Sequence, residues 1–407
     1  ASTRRLGGAP LCNLPEIPNT DDLYAYCSGT SMAAPHVSGL AALMVQWWRQ
    51  RYPGTNPSPA MLKAMLIAGA EDISGAAAAA PNPEEGWGQA RLPQMIALDR
   101  PPWLLDQTEL FGDSGEIHRY GVVPVDPQAP VHVVLSWTDA PGAIGAVPAL
   151  VNDLDLQLQR GAIQYLGNQT GATGAAQADH RNNSEALTLE PSVEPILIRV
   201  SAANLPGDGL PFFGDITDQD YALLCDNCQS IAAFDLDQPV TEQAICAGQD
   251  AQFQLPLLQL DPGVGTVDAT IQGLPTGLSG NLMPTSLAAD GVFQVNISGS
   301  AGLGAGSYPF VVDLTAANFS LSQPLRLLLS DGAPGDAALM VPPNSTEVSS
   351  LRPLLRWSAS SQAQSYRLEL SINPDFSAPL LDLTLKQLEY RPSVDLAPET
   401  TYYWRIT

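Results

Sequence analysis

The amino-acid sequence predicts a multidomain protein in which a helical N-terminal quarter precedes three β-sandwich domains. Its 407 residues are too many for one compact core, and such a length predicts roughly two to four domains. Apolar residues recur with helical spacing up to about residue 98. After Pro101 and Pro102 apolar residues occupy every second position, which is the pattern of strands.

The first predicted helix follows Ser31 and continues with helical spacing to Trp48. Its first turns are rich in small residues, which let other backbone approach closely. These are Ala33, Ala34, Ser38, Gly39, Ala41 and Ala42. We therefore expect this helix to be buried. A second helix is predicted to begin at Ser58-Pro59, a capping residue followed by a proline, and to end near Gly69. The alanine run 76–80 is expected to be a loop without function.

The next segment alternates as β-strands do. The alternating sets are Val131, Val133 and Leu135; Leu154, Leu156 and Leu158; and Ile196, Ile198 and Val200. This predicts a β-sandwich over residues 106–228. A second sandwich, immunoglobulin-like, is predicted over 229–332.

The last segment, 338–407, resembles a fibronectin type III module. The stretches that carry this resemblance are "LRPLLRWSAS", "YRLELSINPDFS" and "LAPETTYYWRIT". Because such modules close with one more strand, we expect this one to be truncated.

Composition excludes several classes of function. The chain carries 42 acidic and 18 basic residues, a formal net charge of −24. Phosphate backbones and anionic lipids would be repelled, so we expect neither nucleic-acid nor membrane-surface binding. No apolar run is long enough to span a membrane. Such acidity is typical of an extracellular protein or of one that binds divalent cations.

Five cysteines point to the same compartment. In a secreted chain we expect Cys12 to pair with Cys27, and Cys246 to pair with Cys225 or Cys228, leaving one odd thiol. Cys228 is the preferred partner of Cys246. A zinc site is disfavoured because no histidine lies near these cysteines in sequence.

The segment that carries chemistry is Gly29-Thr-Ser31-Met-Ala-Ala-Pro35-His36-Val-Ser-Gly39. It predicts a glycine-led turn that places a serine hydroxyl at the N-terminus of a helix. Free backbone N–H groups and partial positive charge at that terminus favour a negatively charged tetrahedral oxygen, and the N–H of Ser31 itself can donate to it. Pro35 is expected to lie in the first turn, where its missing N–H is not needed.

This eleven-residue segment closely resembles the nucleophile signature of the subtilase family of serine proteases. "SPAMLKAMLIAGAEDISG" and "EEGWGQARLPQMIALD" resemble the end of a subtilase domain. "LSWTDAPG", "LVNDLDLQL" and "DHRNNSEALTLEP" resemble the barrel domain of the oxidation-stable alkaline proteases. The resemblance implies that residues 1–105 are the C-terminal part of an α/β subtilase domain and that 106–228 form a jelly-roll-like barrel.

The resemblance also assigns roles. Ser31 would be the nucleophile, Ser28, Gly29 and Thr30 would contact substrate, and His36 would be structural. In subtilases an Asp, a His and an oxyanion Asn precede the serine, and no histidine precedes Ser31 here. His36 lies five residues along the same helix and would face away from Ser31. We therefore expect the chain to be a fragment, inactive alone, that needs the upstream part of its own catalytic domain.

An acidic stretch suggests a structural calcium site. Asp153 and Asp155 alternate with buried leucines, which places both carboxylates on one face of a strand. Asp139, Asn152, Asp179 and Asn183 could converge on them, as could Glu185. Calcium takes six to eight oxygen ligands. The alternative is that these side chains only satisfy turns and the wet face of the strand.

Two functions compete. The first is a secreted bacterial subtilisin-like endopeptidase that acts on protein or peptide substrates through an acyl-enzyme on Ser31. The second is a secreted, non-catalytic adhesion or substrate-docking protein that retains a subtilase remnant. The intact surroundings of Ser31 favour the first, because a protein without activity would be expected to lose that serine early.

Overall fold

The computed structural model describes most of the chain. The described residues are 2–3, 24–25, 29–73, 81–82, 85–96, 102–168, 178–214, 216–330, 332, 335–360, 363 and 365–407. The chain divides into two compact units. The first unit comprises Ala1–Asp235, Gln259–Gly265 and Ala316–Leu321, and the second comprises Leu236–Leu258, Thr266–Thr315 and Ser322–Thr407.

The first part of the first unit contains three helices and four short strands. The helices are α1 (Thr30–Arg51), α2 (Pro59–Ala68) and α3 (Leu92–Met95), and the strands β1 (Ser2–Thr3), β2 (Tyr24–Ala25), β3 (Ala70–Glu71) and β4 (Gln89–Ala90) form two antiparallel pairs. The second helix has the predicted ends, because the Ser58 hydroxyl accepts a hydrogen bond from the Met61 N–H and Gly69 follows the last turn. The alanine run 76–80 lies outside the described residues.

The expectation that α1 is buried is wrong for most of its length. Residues 33–39 are exposed, and the buried side chains are Met44, Trp47 and Trp48 near its C-terminal end. These three large side chains reach a core that also contains Met61 and Met65 of α2. The small side chains of the first turns make no such contact with the described elements, so the N-terminal half of α1 faces solvent.

The rest of the first unit is a β-sandwich. Its strands are β5 (Trp103–Phe111), β6 (Ile117–Pro124), β7 (Val131–Ser136), β8 (Asp153–Arg160), β9 (Ile163–Leu166), β10 (Ser184–Leu189), β11 (Ile196–Asn204), β12 (Gln219–Asp226) and β13 (Cys228–Ile231). One antiparallel sheet has the order β10-β7-β12-β5 and the other has the order β13-β6-β11-β8-β9. All nine residues of the three predicted alternating sets are buried in the core of this sandwich, which confirms the strand prediction.

The outer face of the first of these sheets is covered by α2. Val134, Ala186 and Leu224 on that face share a core with the apolar side of α2. Two partly buried hydrogen bonds join helix and sheet: Ser58 N–H donates to Asp106 Oδ2 at 2.9 Å, and Lys63 Nζ donates to Asn183 Oδ1 at 2.6 Å. The sandwich and the helical segment are therefore packed together through one continuous apolar layer.

The second unit is also built from antiparallel sheets with one parallel pair. After the boundary strand β14 (Phe234–Leu236), the strands are β15 (Glu242–Cys246), β16 (Ala251–Gln259), β17 (Val267–Gln272), β18 (Ser279–Met283), β19 (Ser286–Leu287), β20 (Gly291–Ser298), β21 (Gly306–Thr315) and β22 (Ser320–Ser330). One sheet contains β16, β20 and β18, and the other has the order β15-β22-β21-β17-β19, in which β15 is parallel to β22. A single 3₁₀ turn occupies Ser300–Gly302, and another, Pro262–Val264, belongs to the first unit.

Two three-stranded sheets end the chain. They are formed by β23 (Leu339–Val341), β24 (Leu355–Trp357), β25 (Tyr366–Ser371), β26 (Leu381–Leu385), β27 (Glu389–Tyr390) and β28 (Tyr403–Ile406), in the orders β23-β24-β27 and β26-β25-β28. Trp357 is buried at their centre, with its ring centroid 6.5 Å from that of Trp404. The chain is therefore mostly multidomain β-sandwich with few helices. The predicted domain limits remain predictions.

The cysteine pairing differs from the expectation. Cys225 and Cys228 form a disulfide with each other, and Cys246 is an exposed free thiol. Asn227 between them adopts a left-handed conformation, with φ of 63°. This reverses the chain and brings the two Cα atoms to 5.6 Å, a separation that a disulfide spans. Cys12 and Cys27 lie outside the described residues.

None of the described helices is long and apolar enough to cross a membrane.

Candidate active-site serine and an acidic cluster

Ser31 is the second residue of α1, and a glycine sets up the turn before it. Gly29 has φ of 144°, in the range that favours glycine, and no atom lies near the place of a Cβ there. Its carbonyl accepts hydrogen bonds from the N–H groups of Met32 at 2.9 Å and Ala33 at 3.1 Å. The N–H groups of Thr30 and Ser31 come before these and have no partner within the helix. The turn therefore presents a hydroxyl beside free backbone donors, as predicted from the sequence.

Pro35 lies further along than expected. It is the sixth residue of α1, beyond the first turn. The carbonyl of Ser31 would normally accept a hydrogen bond from the N–H at position 35, and proline has none. The proline therefore leaves one carbonyl at the serine without its helical partner.

None of the four histidines of the chain is bonded to Ser31. His36 Nδ1 donates to the carbonyl of Met32 at 2.6 Å, which uses the nitrogen nearest its own helix. His118 is bonded to Tyr221 Oη at 2.8 Å, and His180 to Asp153 Oδ2 at 2.6 Å. His132 lies on β7, opposite Thr188 and Asp226. Ser31 thus lies beside free backbone hydrogen-bond donors, and no histidine is bonded to it.

The other residues assigned to substrate contact lie beside it. Gly29 and Thr30 are exposed at the start of α1. Ser28 is outside the described residues. The exposed serine, glycine and threonine leave one side of the turn open to an approaching chain.

A second group of functional side chains lies in the sandwich. Asp153 and Asp155 on β8 and His180 in the loop between β9 and β10 place one ligand atom each within 4.8 Å of one another. Glu185, at the start of β10, is 1% exposed. Three carboxylate oxygens of this group are buried and have no hydrogen-bond partner: Asp153 Oδ1, Asp155 Oδ1 and Glu185 Oε1.

Burial shapes the electrostatics of this cluster. It raises the pKa of Asp155 to about 6, and the Asp153 carboxylate adds to the effect. Burial likewise raises the pKa of Glu185, although Glu185 Oε2 accepts a hydrogen bond from the Leu156 N–H at 2.7 Å. For Asp179 burial acts in the same direction, but hydrogen bonds from Asn182 and Asn168 outweigh it and lower its pKa. Acids held so close without compensation destabilise one another.

Four of the predicted calcium ligands have other partners, and the first is Asp179, whose oxygens accept hydrogen bonds from Asn168 and the Arg181 N–H. Both oxygens of Asp139 accept backbone hydrogen bonds, from Val151 and Asn152 at 2.8 Å each. Asn152 is buried and bonded to Gly207 and Gln219. Asn183 links Lys63 to the carbonyl of Trp137. These side chains fix loops, whereas His180 entered the cluster without a signal in the sequence beyond its position next to Asp179.

Comparison with known proteins adds one assignment. Residues 12–88 match the model of the subtilase family. None of the curated proteins matches the chain.

Solved structures give only weak likenesses. Fibronectin(III)-like modules of CbhA from Clostridium thermocellum are 15% identical, over 40% of this chain and 79% of theirs, with a TM-score of 0.23. The VesB protease of Vibrio cholerae is 11% identical, over 52% of this chain and 100% of its own, with a TM-score of 0.20. Domains 4 and 5 of the S-layer protein SbsC are 12% identical, over 35% and 69%, with a TM-score of 0.18. Likenesses of this size carry no argument. The family match includes Ser31, and residues 12–88 are therefore related to the subtilases.

Proposed function

We propose that this chain carries the nucleophile segment of a secreted subtilisin-like serine endopeptidase. The observation that supports it is the position of Ser31 in a subtilase-related segment, at the start of a helix with free backbone N–H groups. Ser31 Oγ attacks the substrate carbonyl and gives its proton to a base. The Ser31 N–H stabilises the oxyanion, the amine leaves, and water releases the acyl group.

The base, its orienting carboxylate and a second oxyanion donor come from polypeptide outside this chain. Three of the four histidines are hydrogen-bonded to other groups, and the fourth, His132, lies on β7 of the sandwich. The exposed N-terminal half of α1 is consistent with this division. The chain alone is therefore a nucleophile without the groups that activate it, and its substrate cleft lies mostly outside it too.

Restoring the upstream region tests this proposal. The gene product extended by about 300 residues before Ala1 should hydrolyse a denatured protein substrate, and its Ser31→Ala variant should not. Ser38→Ala, on the same helix and also exposed, is the matched control and should keep full activity. An inactive extended protein with a subtilase-like Asp and His would favour the non-catalytic docking protein instead.

We further propose that the acidic cluster binds a structural calcium ion. Three buried, unpartnered carboxylate oxygens fit a hard cation better than they fit an empty site. Asp153, Asp155 and Glu185 would hold the ion through these oxygens. The ion would neutralise charge and tie β8 to β10. It would take no part in peptide hydrolysis.

Secretion and the accessory domains belong to the same proposal. A disulfide between Cys225 and Cys228 supports an oxidising compartment. The sandwich of residues 229–332 would be immunoglobulin-like and that of 338–407 fibronectin-like, and both would serve as spacers or attachment domains.

A further inference from the structure

The loop between β7 and β8 is unusual for a solvent-exposed segment. Residues 140–151 are twelve consecutive residues without a polar side chain. Residues 141–149 are all exposed, and Ile144 and Val147 are almost completely so. Exposed connections in soluble proteins are normally polar, with glycine and proline among them. This loop has the glycines and prolines but no polar residue.

The loop between β11 and β12 also exposes large apolar side chains, although it contains polar residues such as Asp208 and Asp218. Phe212 is fully exposed, Phe213 is 69% exposed and Ile216 is 79% exposed. The base of this loop is fixed, since Leu210 N–H donates to Asp218 Oδ1 and Asp218 is buried. The aromatic side chains are therefore held out from an ordered base.

The two loops lie against each other. Asn152 Nδ2 donates to the carbonyl of Gly207 at 2.9 Å, and the N–H of Gly207 donates back to Asn152 Oδ1 at 2.9 Å. A Cβ at Gly207 would meet Val151 and Ala140 within 3 Å. Because their bases touch, the loops project from the same end of the sandwich. We call the exposed side chains of 141–149, 211–213 and Ile216 the apolar tip.

A contiguous exposed apolar surface marks an interaction site, whereas scattered single residues do not. Five large side chains of the apolar tip are exposed to this degree: Ile144, Val147, Phe212, Phe213 and Ile216. They come from two loops that the sandwich could have closed with polar turns. A partner that covered this surface would remove apolar area from water, which is favourable.

The charge of the two loops limits the kind of partner that can bind. No lysine or arginine occurs in residues 120–159 or 200–325, so neither loop of the apolar tip carries a cation. Acids that flank it in sequence include Asp139, Asp208 and Asp218. An anionic lipid or nucleic acid would be repelled. A polypeptide segment with aromatic or aliphatic residues and neighbouring lysine or arginine is complementary both in polarity and in charge.

We propose that the apolar tip is a docking site for apolar, basic segments of the protein substrate. The role as substrate rests on the proposed endopeptidase function; the docking itself does not involve Ser31. An unfolded chain would be retained at the apolar tip through such a segment while another part of it enters the cleft. This raises the effective concentration of the cleaved segment.

Peptide binding to the whole chain tests the proposal. Two fluorescein-labelled peptides share one phenylalanine- and leucine-rich core, one flanked by lysines and the other by glutamates. Fluorescence anisotropy should show binding of the lysine peptide that weakens as sodium chloride is added, and at least about tenfold weaker binding of the glutamate peptide. Absence of lysine-peptide binding would overturn the proposal.

Matched variants locate the binding. Two double variants should each weaken binding of the lysine peptide at least about tenfold. They are Phe212→Ser with Phe213→Ser, and Ile144→Ser with Val147→Ser. Val193→Ser and Ile372→Ser, which also change exposed apolar residues on other loops, should leave it unchanged. Equal binding by all variants would refute the site. Self-association by sedimentation velocity that the apolar-tip variants abolish, or binding to phosphatidylcholine vesicles in place of the peptide, would assign the surface to another partner and refute it too.

These binding measurements are made on the Ser31→Ala chain. A negative result in them and a negative result in the activity test of the extended protein are therefore separate findings. If only the activity test fails, the docking site stands, but the segment that it binds is not a proteolytic substrate.

Discussion

Replacing Asp155 by asparagine should change stability in opposite directions with and without calcium. In the absence of a cation, Asp155 is a partly buried acid beside Asp153 and near Asp179. Asparagine keeps the shape of the side chain and removes the charge. The variant should therefore be more stable than the wild type in chelator. With calcium present it lacks a ligand and should be the less stable of the two.

The size of the effect follows from the pKa of the group. Burial first, and then Asp153, raise the pKa of Asp155 from 3.8 to about 6. In the unfolded chain the group ionises near its ordinary pKa, so the folded state is penalised above pH 6 and the penalty vanishes below about pH 4. The full difference between the folded and unfolded pKa of Asp155 corresponds to roughly 3 kcal/mol of unfolding free energy. Solvent screening of this partly exposed group reduces it, and we expect about 1–2 kcal/mol.

Thermal unfolding of the whole chain at pH 8 measures this. The Asp155→Asn variant should melt roughly 3–6 °C higher than the wild type in excess chelator. A calcium concentration 100-fold above Kd should stabilise the wild type by about 2.7 kcal/mol and the variant by much less. Asp268 is an exposed acid on β17, and Asp268→Asn should change neither the melting temperature in chelator nor the stabilisation by calcium. An Asp155→Asn variant that melts lower in chelator, or that gains as much from calcium as the wild type, would refute the reasoning.

Two other predictions concern protonation and the cysteines. Burial lowers the pKa of His132 to about 4, so only the unfolded chain takes up a proton there between about pH 6.5 and pH 4. Stability should fall over that window by up to roughly 3 kcal/mol, an upper bound because the ring keeps some solvent contact, and His132→Gln should flatten the pH profile of chemical unfolding. Non-reduced peptide mapping should find Cys225 joined to Cys228 and should find Cys246 alkylated without reductant. A Cys246 disulfide to either residue would restore the expectation drawn from the sequence.

The strands of the first sandwich were predictable because their signal is local. Val131, Val133 and Leu135 alternate along one strand, and each faces the same core. The same holds for the ends of α2, where the Ser58 cap and the glycine after the last turn act within a few residues. The spacing of apolar residues and the identity of capping residues are both set by neighbouring positions, so the sequence predicts these elements.

Other features depend on long-range packing, which local patterns do not show. The small residues of α1 indicate a close neighbour but do not say which element provides it, and residues 33–39 are exposed in the described structure. The cysteine pairing is local, but it depends on the left-handed conformation of Asn227 between Cys225 and Cys228, which the spacing of the cysteines does not show. In the acidic cluster the strand pattern placed Asp153 and Asp155 together. It could not tell that Asp139 and Asn183 would be used by backbone groups and Lys63.

The proposed function makes Ser31 a subtilase nucleophile whose activating groups lie outside this chain. A fluorophosphonate probe reads this directly, because it reacts with a serine that a neighbouring base has activated. We predict no labelling of Ser31 in this chain above a Ser31→Ala control, and labelling of the same serine once the upstream region is restored. Strong labelling of the chain as it stands would contradict the account, because one of its own side chains would then have to act as the base.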